Sequence, residues 1–201
     1  FIGGDRYDSL RDMVKASNTN HRQPFYKYIL GKTYLKSLDV IDDPSMRDQA
    51  LETTFRFAKD ADEFASGKDG MYKLLLGQIY AEYYYDNLGD YFILANDAFG
   101  EALDLMPLYP DALFESGKFY FLSGNVGKSI EVFEFYLSLS PQFWKYGEDP
   151  GKYLEDAEDY NDYRLFYKAN PLFNEVFIYL SEAYRVIGDE EQALYYEDLI
   201  F

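Results

Sequence analysis

The chain has 201 residues, of which 48% are hydrophobic and 20% aromatic, and it carries a formal net charge of -17. This composition supports a buried core and argues against disorder, whereas the acidic balance argues against nucleic acid and anionic membranes as partners. Cysteine is absent, which excludes disulfides and thiolate metal sites, and no apolar run reaches the length of a membrane span.

The first 23 residues predict one helix followed by a linker. Tyr7, Leu10, Met13 and Val14 share a helical face, as they would in the second helix of a pair whose first helix lies upstream. The chain begins with Phe1 rather than Met, and we expect it to be an excised or processed fragment.

A first repeat of two helices is predicted at about residues 24–65. Its first helix begins at Pro24 and carries Leu30-Gly31 with Tyr34 three residues further on. Its second helix is predicted at 44–64, and the two aspartates that precede this segment would cap it.

A second repeat, at about 70–107, shows the same order of residues. Leu76-Gly77 and Tyr80 lie in its first helix, and Ala95 lies in its second helix. Gly77 and Ala95 are 18 residues apart, and Gly31 and the matching Ala50 are 19 apart. Both spacings exceed the 12 residues found in the third repeat, so we expect longer first helices or longer turns in the first two.

The third repeat, at about 108–141, is the most complete. Leu113, Ser116, Gly117 and Tyr120 share one helical face, and Ser129, Phe133 and Tyr136 share another. Two amphipathic helices that pack together are therefore predicted. Gly117 permits their close approach, Gly124 permits a left-handed turn residue after the first helix, and Pro141 stops the second helix.

Beyond Pro141 the regular spacing is lost. Residues 142–170 predict a loop and then one extra helix at about 152–168. The last repeat is predicted at 172–201, where Leu180-Ser181 and Tyr184 recover the earlier pattern.

These spacings resemble the tetratricopeptide repeat, in which Leu-Gly, two residues and Tyr are followed by Ala, three residues, Phe and later Pro. Pro107 and Pro141 are 34 residues apart, which is the length of that repeat. The resemblance implies an all-α superhelical array of tetratricopeptide-like helix pairs with insertions, with about ten helices in a single domain at 1–201. It also implies a binding scaffold rather than a catalyst.

A second resemblance rests on the segments 72–80 and 102–107, which read YKLLLGQIY and ALDLMP. They are similar to the soluble repeat tail that follows the membrane domain in bacterial O-antigen ligase or polymerase-like proteins. This resemblance implies the soluble part of a larger envelope protein, on the extracytoplasmic side. The catalytic features of that family lie in a membrane region and cannot be transferred to this chain.

The sequence predicts no catalytic, cofactor or metal site. The single histidine, His21, has no cysteine or second histidine with which to form a triad or a metal site. The acidic cluster at 155–162 lacks the oxygen ligands and glycine of a calcium loop, since Tyr163 and Arg164 fall where these are needed. We interpret the cluster as a solvated helix face.

The resemblance to tetratricopeptide arrays also implies a binding groove, which the first helix of each pair lines in that family. Four of the implied positions are basic, which predicts a locally positive groove suited to an acidic segment or a peptide carboxylate. Alternatively, each basic side chain bridges to neighbouring acidic residues. The implied positions are Phe25, Tyr28, Lys32, Lys36, Leu74, Gln78, Glu82, Asp111, Phe114, Lys118, Phe121, Ile178, Glu182 and Arg185.

Two functions follow as hypotheses. The first is a protein-interaction scaffold that binds a peptide or partner helix. The second is a glycan-binding or glycan-positioning accessory domain of a bacterial cell-envelope polysaccharide enzyme. The 22 tyrosines, which could offer flat faces to sugar rings, and the resemblance to O-antigen ligase tails favour it. A row of exposed tyrosines would favour the glycan, and scattered burial would favour the scaffold. In the run at 83–85, three consecutive tyrosines cannot all face one core, so at least one is expected to be exposed or to lie in a groove.

Overall fold

The computed structural model describes residues 14, 15, 19, 23–86, 89–139 and 171–200. Within these ranges the chain forms eight α-helices and one short 3-10 helix, with no strand. The 3-10 helix, Leu38–Val40, follows the first α-helix. The α-helices are α1 Pro24–Ser37, α2 Pro44–Phe64, α3 Gly70–Tyr85, α4 Tyr91–Leu105, α5 Pro110–Leu122, α6 Val126–Ser138, α7 Pro171–Ile187 and α8 Glu190–Asp198.

The prediction of an all-α fold built from helix pairs is confirmed. The two further helices among the ten expected were placed at the N-terminus and at 152–168. The first falls almost entirely outside the described residues, and the predicted loop and helix at 142–170 lie outside them altogether.

Aspartate side chains fix where three of the helices begin. Asp43, Asp69 and Asp189 stand directly before α2, α3 and α8, and each accepts a hydrogen bond from a backbone N–H of the first turn, at 3.0, 2.9 and 3.2 Å. These bonds satisfy amides that have no partner within the helix. The predicted capping of α2 is therefore confirmed at Asp43.

Glycine ends two of the first helices. Gly124 follows α5 and Gly188 follows α7, and each has a φ angle of +83°. A side chain would be strained at that angle, whereas glycine adopts it freely. The turn predicted at Gly124 is confirmed.

The chain divides into two compact units, residues 1–107 and 108–201. In the first unit α1 packs with α2 and α3 packs with α4, while α3 also contacts α2 and α1. In the second unit α5 packs with α6 and α7 packs with α8, while α7 also contacts α6 and α5. In the described residues each unit thus contains two helix pairs, the second stacked on the first.

Inside the α5/α6 and α3/α4 pairs the two helices approach each other closely at a glycine, as predicted for Gly117. A Cβ added to Gly117 would lie 2.6 Å from the ring of Phe133 on α6, and one added to Gly77 would lie 2.9 Å from the ring of Phe99 on α4. Beside the first ring, the Ser129 hydroxyl donates a 2.9 Å hydrogen bond to the Gly117 carbonyl. Small residues on both helices therefore let an aromatic ring lie against the opposite backbone.

The first pair packs in a different register from the one expected. Gly31 faces the backbone of Ala58 and the Cβ of Phe57, and the fully buried small residue one turn earlier on α2 is Thr54. Ala50, which the sequence pattern matched to Ala95, is only half-buried. The predicted match of Ala50 to Ala95 was wrong because α2 has 21 residues and contains several small residues at helical spacing.

The extra length of the second repeat lies in both its first helix and its turn. α3 has 16 residues, whereas α5 has 13. Five residues, 86–90, separate α3 from α4, whereas three residues, 123–125, separate α5 from α6. Both alternatives offered by the sequence spacing therefore contribute.

Candidate functional site

Three of the fourteen predicted groove positions are buried in the structure. Tyr28, Leu74 and Phe114 each lie three residues before the glycine of their helix. The Tyr28 ring contacts Tyr72 of α3 with centroids 5.3 Å apart, and the Phe114 ring contacts Tyr179 of α7 at 6.3 Å. Tyr28 and Phe114 therefore pack against the first helix of the next pair.

The outer face of α1 presents an aromatic ring and two lysines. Phe25, Lys32 and Lys36 share this face because they are seven and four residues apart. Phe25 is 49% exposed and Lys36 is exposed in the last turn. The Lys32 ammonium lies 3.5 Å from the Tyr28 hydroxyl and 5.8 Å from its ring centroid. The helix contains three lysines and no acidic residue.

The third lysine of α1 lies between α1 and α2 and not on the outer face. Lys27 is buried, and its ammonium lies 2.6 Å from a carboxylate oxygen of Asp60 on α2. It also lies over the rings of Phe57 and Phe64, at 5.9 and 5.7 Å from their centroids. This pairing ties α1 to α2, so Lys27 does not belong to the outer face that carries Lys32 and Lys36.

On α3 the predicted positions other than the buried Leu74 are Gln78 and Glu82. Gln78 is half-buried, and Glu82 accepts a 2.7 Å hydrogen bond from Arg47 of α2. Arg47 also donates a 2.5 Å bond to Asp86 after α3. Burial acts to lower the pKa of Arg47, but Asp86 and Glu82 outweigh burial and the pKa is raised. Glu82 is therefore held in a link between α2 and α3.

In the second unit the predicted positions on α5 lie beside an aromatic cluster. The Phe121 ring is 5.4 Å from Tyr179 of α7. Asp111 lies 3.5 Å from the Tyr109 hydroxyl. Lys118 is half-exposed and forms no ion pair within the described part of the chain. Burial raises the pKa of Tyr179, and the nearby Lys118 charge opposes that rise.

The predicted positions on α7 carry no net positive charge. Ile178 and Glu182 are exposed, and the Arg185 guanidinium lies 3.3 Å from a Glu182 oxygen and also pairs with Glu197 of α8. The alternative in which a basic groove residue bridges to acidic neighbours therefore holds at Arg185.

A polar contact joins α6 to the last helix pair. The Tyr184 hydroxyl lies 2.5 Å and the Tyr196 hydroxyl 3.4 Å from the same carboxylate oxygen of Glu134. Burial is the largest cause of a raised pKa at both tyrosines, and Glu134 adds to it. Burial also raises the pKa of Tyr136 on α6 to about 12.

Sequence reasoning missed the ion pairs that hold Lys27 and Arg47 between helices. Lys27 and Asp60 are 33 residues apart, and Arg47 and Asp86 are 39 apart, so no local spacing could show them. The absence of acidic residues in 24–37 was visible in the sequence and is the signal that marks α1 as cationic.

The described residues contain no group of three or more His, Cys, Asp or Glu side chains that could hold a metal ion. His21 and the acidic cluster at 155–162 lie outside those residues. None of the helices that the structure describes combines the length and apolar character needed to cross a membrane.

Three solved structures resemble this chain throughout its length. A crystal structure of MamA has a TM-score of 0.60 and 18% identity, with 98% of this chain and 90% of that chain covered. A second MamA structure has a TM-score of 0.59 and 19% identity, covering 97% and 80%. TTC0263, described as a thermophilic TPR protein in Thermus thermophilus, has a TM-score of 0.60 and 18% identity, covering 96% and 80%.

The fold is that of a tetratricopeptide-repeat protein. The fold resemblance inferred from the Leu-Gly-x-x-Tyr spacing is thereby confirmed, and at this level of identity the likeness concerns the fold alone. No family model and no curated protein matches the chain. The resemblance to O-antigen ligase tails stays a prediction, as does the division into one domain of four repeats.

Proposed function

We propose that this protein is a non-catalytic scaffold that binds a protein or peptide segment on the first helices of its pairs. The tetratricopeptide fold supports this general role. The binding surface that we favour lies on α1 and α3 of the first unit. The observation that carries this choice is the outer face of α1, where two lysines stand beside an exposed aromatic ring.

Charge complementarity favours an acidic segment as the ligand. The whole chain has a net charge of -17, yet α1 carries three lysines and no acid. The net negative charge of the chain repels anionic partners at a distance, so only a segment that reaches the local positive site gains the attraction of its lysines. Lys32 and Lys36 would bind its carboxylates, and Phe25 would cover an apolar side chain.

The size of this surface sets the length of the segment. Phe25 and Lys36 are 11 residues apart in a helix, which corresponds to about 16 Å at 1.5 Å per residue. An extended peptide covers about 16 Å with roughly five residues. A short acidic motif with one apolar side chain is therefore the ligand that fits α1.

The glycan alternative receives less support from the structure. Among the described tyrosines only Tyr85 is exposed, at 36%, which agrees with the expectation for the run at 83–85. The other described tyrosines are buried or half-buried, and many contact another aromatic ring, as Tyr83 and Tyr91 do at 4.8 Å. Scattered burial of this kind is the pattern expected of a scaffold.

The proposal is tested with fluorescently labelled peptides of about ten residues, one set rich in Asp and Glu, one rich in Lys and Arg, and one neutral. We expect the acidic set to bind most tightly, and Lys32→Glu with Lys36→Glu to weaken that binding by about tenfold or more. The matched control is Lys59→Glu on α2, which removes an exposed lysine 3.9 Å from Glu63 and should change binding by less than about twofold.

Two results would count against the proposal. One is equal affinity for the three peptide sets. The other is acidic-peptide binding that survives the double substitution in a correctly folded protein, as judged by helical circular dichroism.

A further inference from the structure

In each unit the first helix of the second pair packs against an apolar face of the first pair. In the second unit α7 packs against α5 and α6, and Phe114 of α5 and Ile130 of α6 are only 4% and 8% exposed. In the first unit the rings of Tyr28 and Phe55 contact α3, where Phe55 lies 5.7 Å from Tyr80. In both units the stacked helix therefore contacts an aromatic residue on the first helix of the pair beside it, and in the first unit it also contacts Phe55 on the second helix.

In the pair formed by α7 and α8 the equivalent residues are exposed. Ile178 stands three residues before Ser181, as Phe114 stands before Gly117, and it is 42% exposed. Leu194 stands directly after the buried Ala193, as Ile130 follows Ser129, and it is 50% exposed. We call the surface formed around Ile178 and Leu194 the end face.

Acidic side chains surround both apolar residues of the end face. On α8 the four positions three or four residues from Leu194 are all acidic, and on α7 Glu175 and Glu182 take such positions around Ile178. Arg185 is the only basic residue in 171–200, and it is already paired with Glu182 and Glu197. The four acidic neighbours of Leu194 are Glu190, Glu191, Glu197 and Asp198.

The acidic residues around the end face indicate which kind of partner it can bind. A second copy of the chain would bring two acidic rims together, which opposes association. A helix with an apolar stripe flanked by lysine or arginine would cover Ile178 and Leu194 as α7 covers the pair before it, and its cations would meet the acidic rim. We propose that the end face binds a basic amphipathic helix of a partner protein.

This proposal does not depend on the ligand proposed for α1, because it uses another helix pair and requires a partner of opposite charge. The two proposals can therefore fail separately. A protein that binds the lysine-flanked helix but no acidic peptide would retain the end face and lose only the α1 surface.

The test uses a synthetic amphipathic helix about as long as α7, roughly 25 Å, with a leucine stripe flanked by lysines. Two matched peptides replace lysine by glutamate or scramble the stripe at constant composition. Fluorescence anisotropy should show tight binding of the lysine peptide alone, weakened by raising the salt concentration from about 50 to about 300 mM.

Substitutions at the end face distinguish the contribution of the apolar side chains to binding affinity from that of the acidic side chains. Ile178→Ser with Leu194→Ser should weaken binding of the lysine peptide by about tenfold or more, because both apolar contacts are lost. The matched control is Ile93→Ser, which changes an exposed isoleucine of α4 in the other unit and should leave binding unchanged. Glu191→Lys with Asp198→Lys should weaken the lysine peptide and allow the glutamate peptide to bind.

The single variant Ile178→Ser keeps the test valid if changes in the nine-residue α8 disturb folding, because α7 has 17 residues and the side chain is exposed. Unchanged binding in that variant would overturn the proposal, as would equal binding of the lysine and scrambled peptides. Sedimentation that shows a dimer of the wild type, dissociated by Ile178→Ser, would mean that a second copy occupies the face instead.

Discussion

In the α5/α6 pair the ring of Phe133 lies against Gly117 so closely that an added Cβ would come within 2.6 Å of it. In the α1/α2 pair no ring covers Gly31, and the nearest atom to an added Cβ belongs to Leu75 of α3, at 3.0 Å. The nearest neighbour of this repeat position thus belongs to its own pair at Gly117 and to the next pair at Gly31.

This difference teaches what the repeat pattern specifies. The small residue on the first helix allows two helices to approach, and the second helix decides what fills the space. α6 supplies a phenylalanine four residues after Ser129, whereas α2 supplies Ala58 four residues after Thr54. Leu75 of α3 then contacts the surface of Gly31, where Gly117 has the ring of Phe133.

Substituting Gly117 by alanine should give the largest effect. The added methyl group would overlap a ring that is fully buried and cannot move aside, so we expect the free energy of unfolding to fall by about 1–3 kcal/mol. Chemical denaturation of the purified variant measures this change.

The control for Gly117→Ala is Gly100→Ala on α4. An added Cβ at Gly100 meets no atom within 4 Å, so the higher helix propensity of alanine should raise stability by about 0.5–1 kcal/mol. A Gly117→Ala protein as stable as Gly100→Ala would show that the ring does not hold the position described.

Substituting Gly31 by alanine should change the free energy of unfolding less than substituting Gly117. The Leu75 methyl group at 3.0 Å must shift slightly, but the gain in helix propensity offsets part of that cost. We therefore expect a net change of less than about 1 kcal/mol, measured under the same conditions. A loss equal to that of Gly117→Ala would mean that the two glycines are packed alike.

The smallest expected effect concerns alkaline pH in the second unit. Burial raises the pKa of Tyr136 from 10.0 to about 12, so the folded state favours the neutral phenol. Its contribution to stability is present below pH 10 and is lost as pH rises from about 10 to about 12.

Tyr136→Phe should therefore reduce the fall in melting temperature between about pH 8 and about pH 11. Thermal melts of wild type and variant at the two pH values measure the difference. An equal fall in both proteins would show that Tyr136 does not contribute to the alkaline loss.

The sequence predicted the features that depend on neighbouring residues. The capping at Asp43, the turn at Gly124 and the close approach at Gly117 were all visible as local residue types at fixed spacing. The register of α2 against α1 was not, because Ala50, Thr54 and Ala58 all suit a close contact and only tertiary packing chooses between them.

The candidate surface was predicted less completely for a similar reason. A repeat register indicates which face of a helix a residue occupies, but it does not show whether the next pair covers that residue, as it covers Tyr28. Nor does it show which cations are already paired. Lys27 and Arg185 are held by carboxylates on other helices, and these partners lie 33 and 12 residues away in the chain.

The two units also differ in net charge. Residues 1–107 contain 12 basic and 18 acidic residues, a net charge of -6, and residues 108–201 contain 7 and 18, a net charge of -11. Within these totals α1 is locally cationic, whereas residues 171–200 have seven acids and one arginine. The two ends of the described chain are therefore suited to partners of opposite charge.

Hydrogen–deuterium exchange with each probe peptide tests this central claim most directly. The account predicts that the acidic peptide slows exchange in α1 and α3, and that the lysine-flanked helix slows exchange in α7 and α8. Protection of the same segments by both peptides, or protection confined to α2, would contradict it.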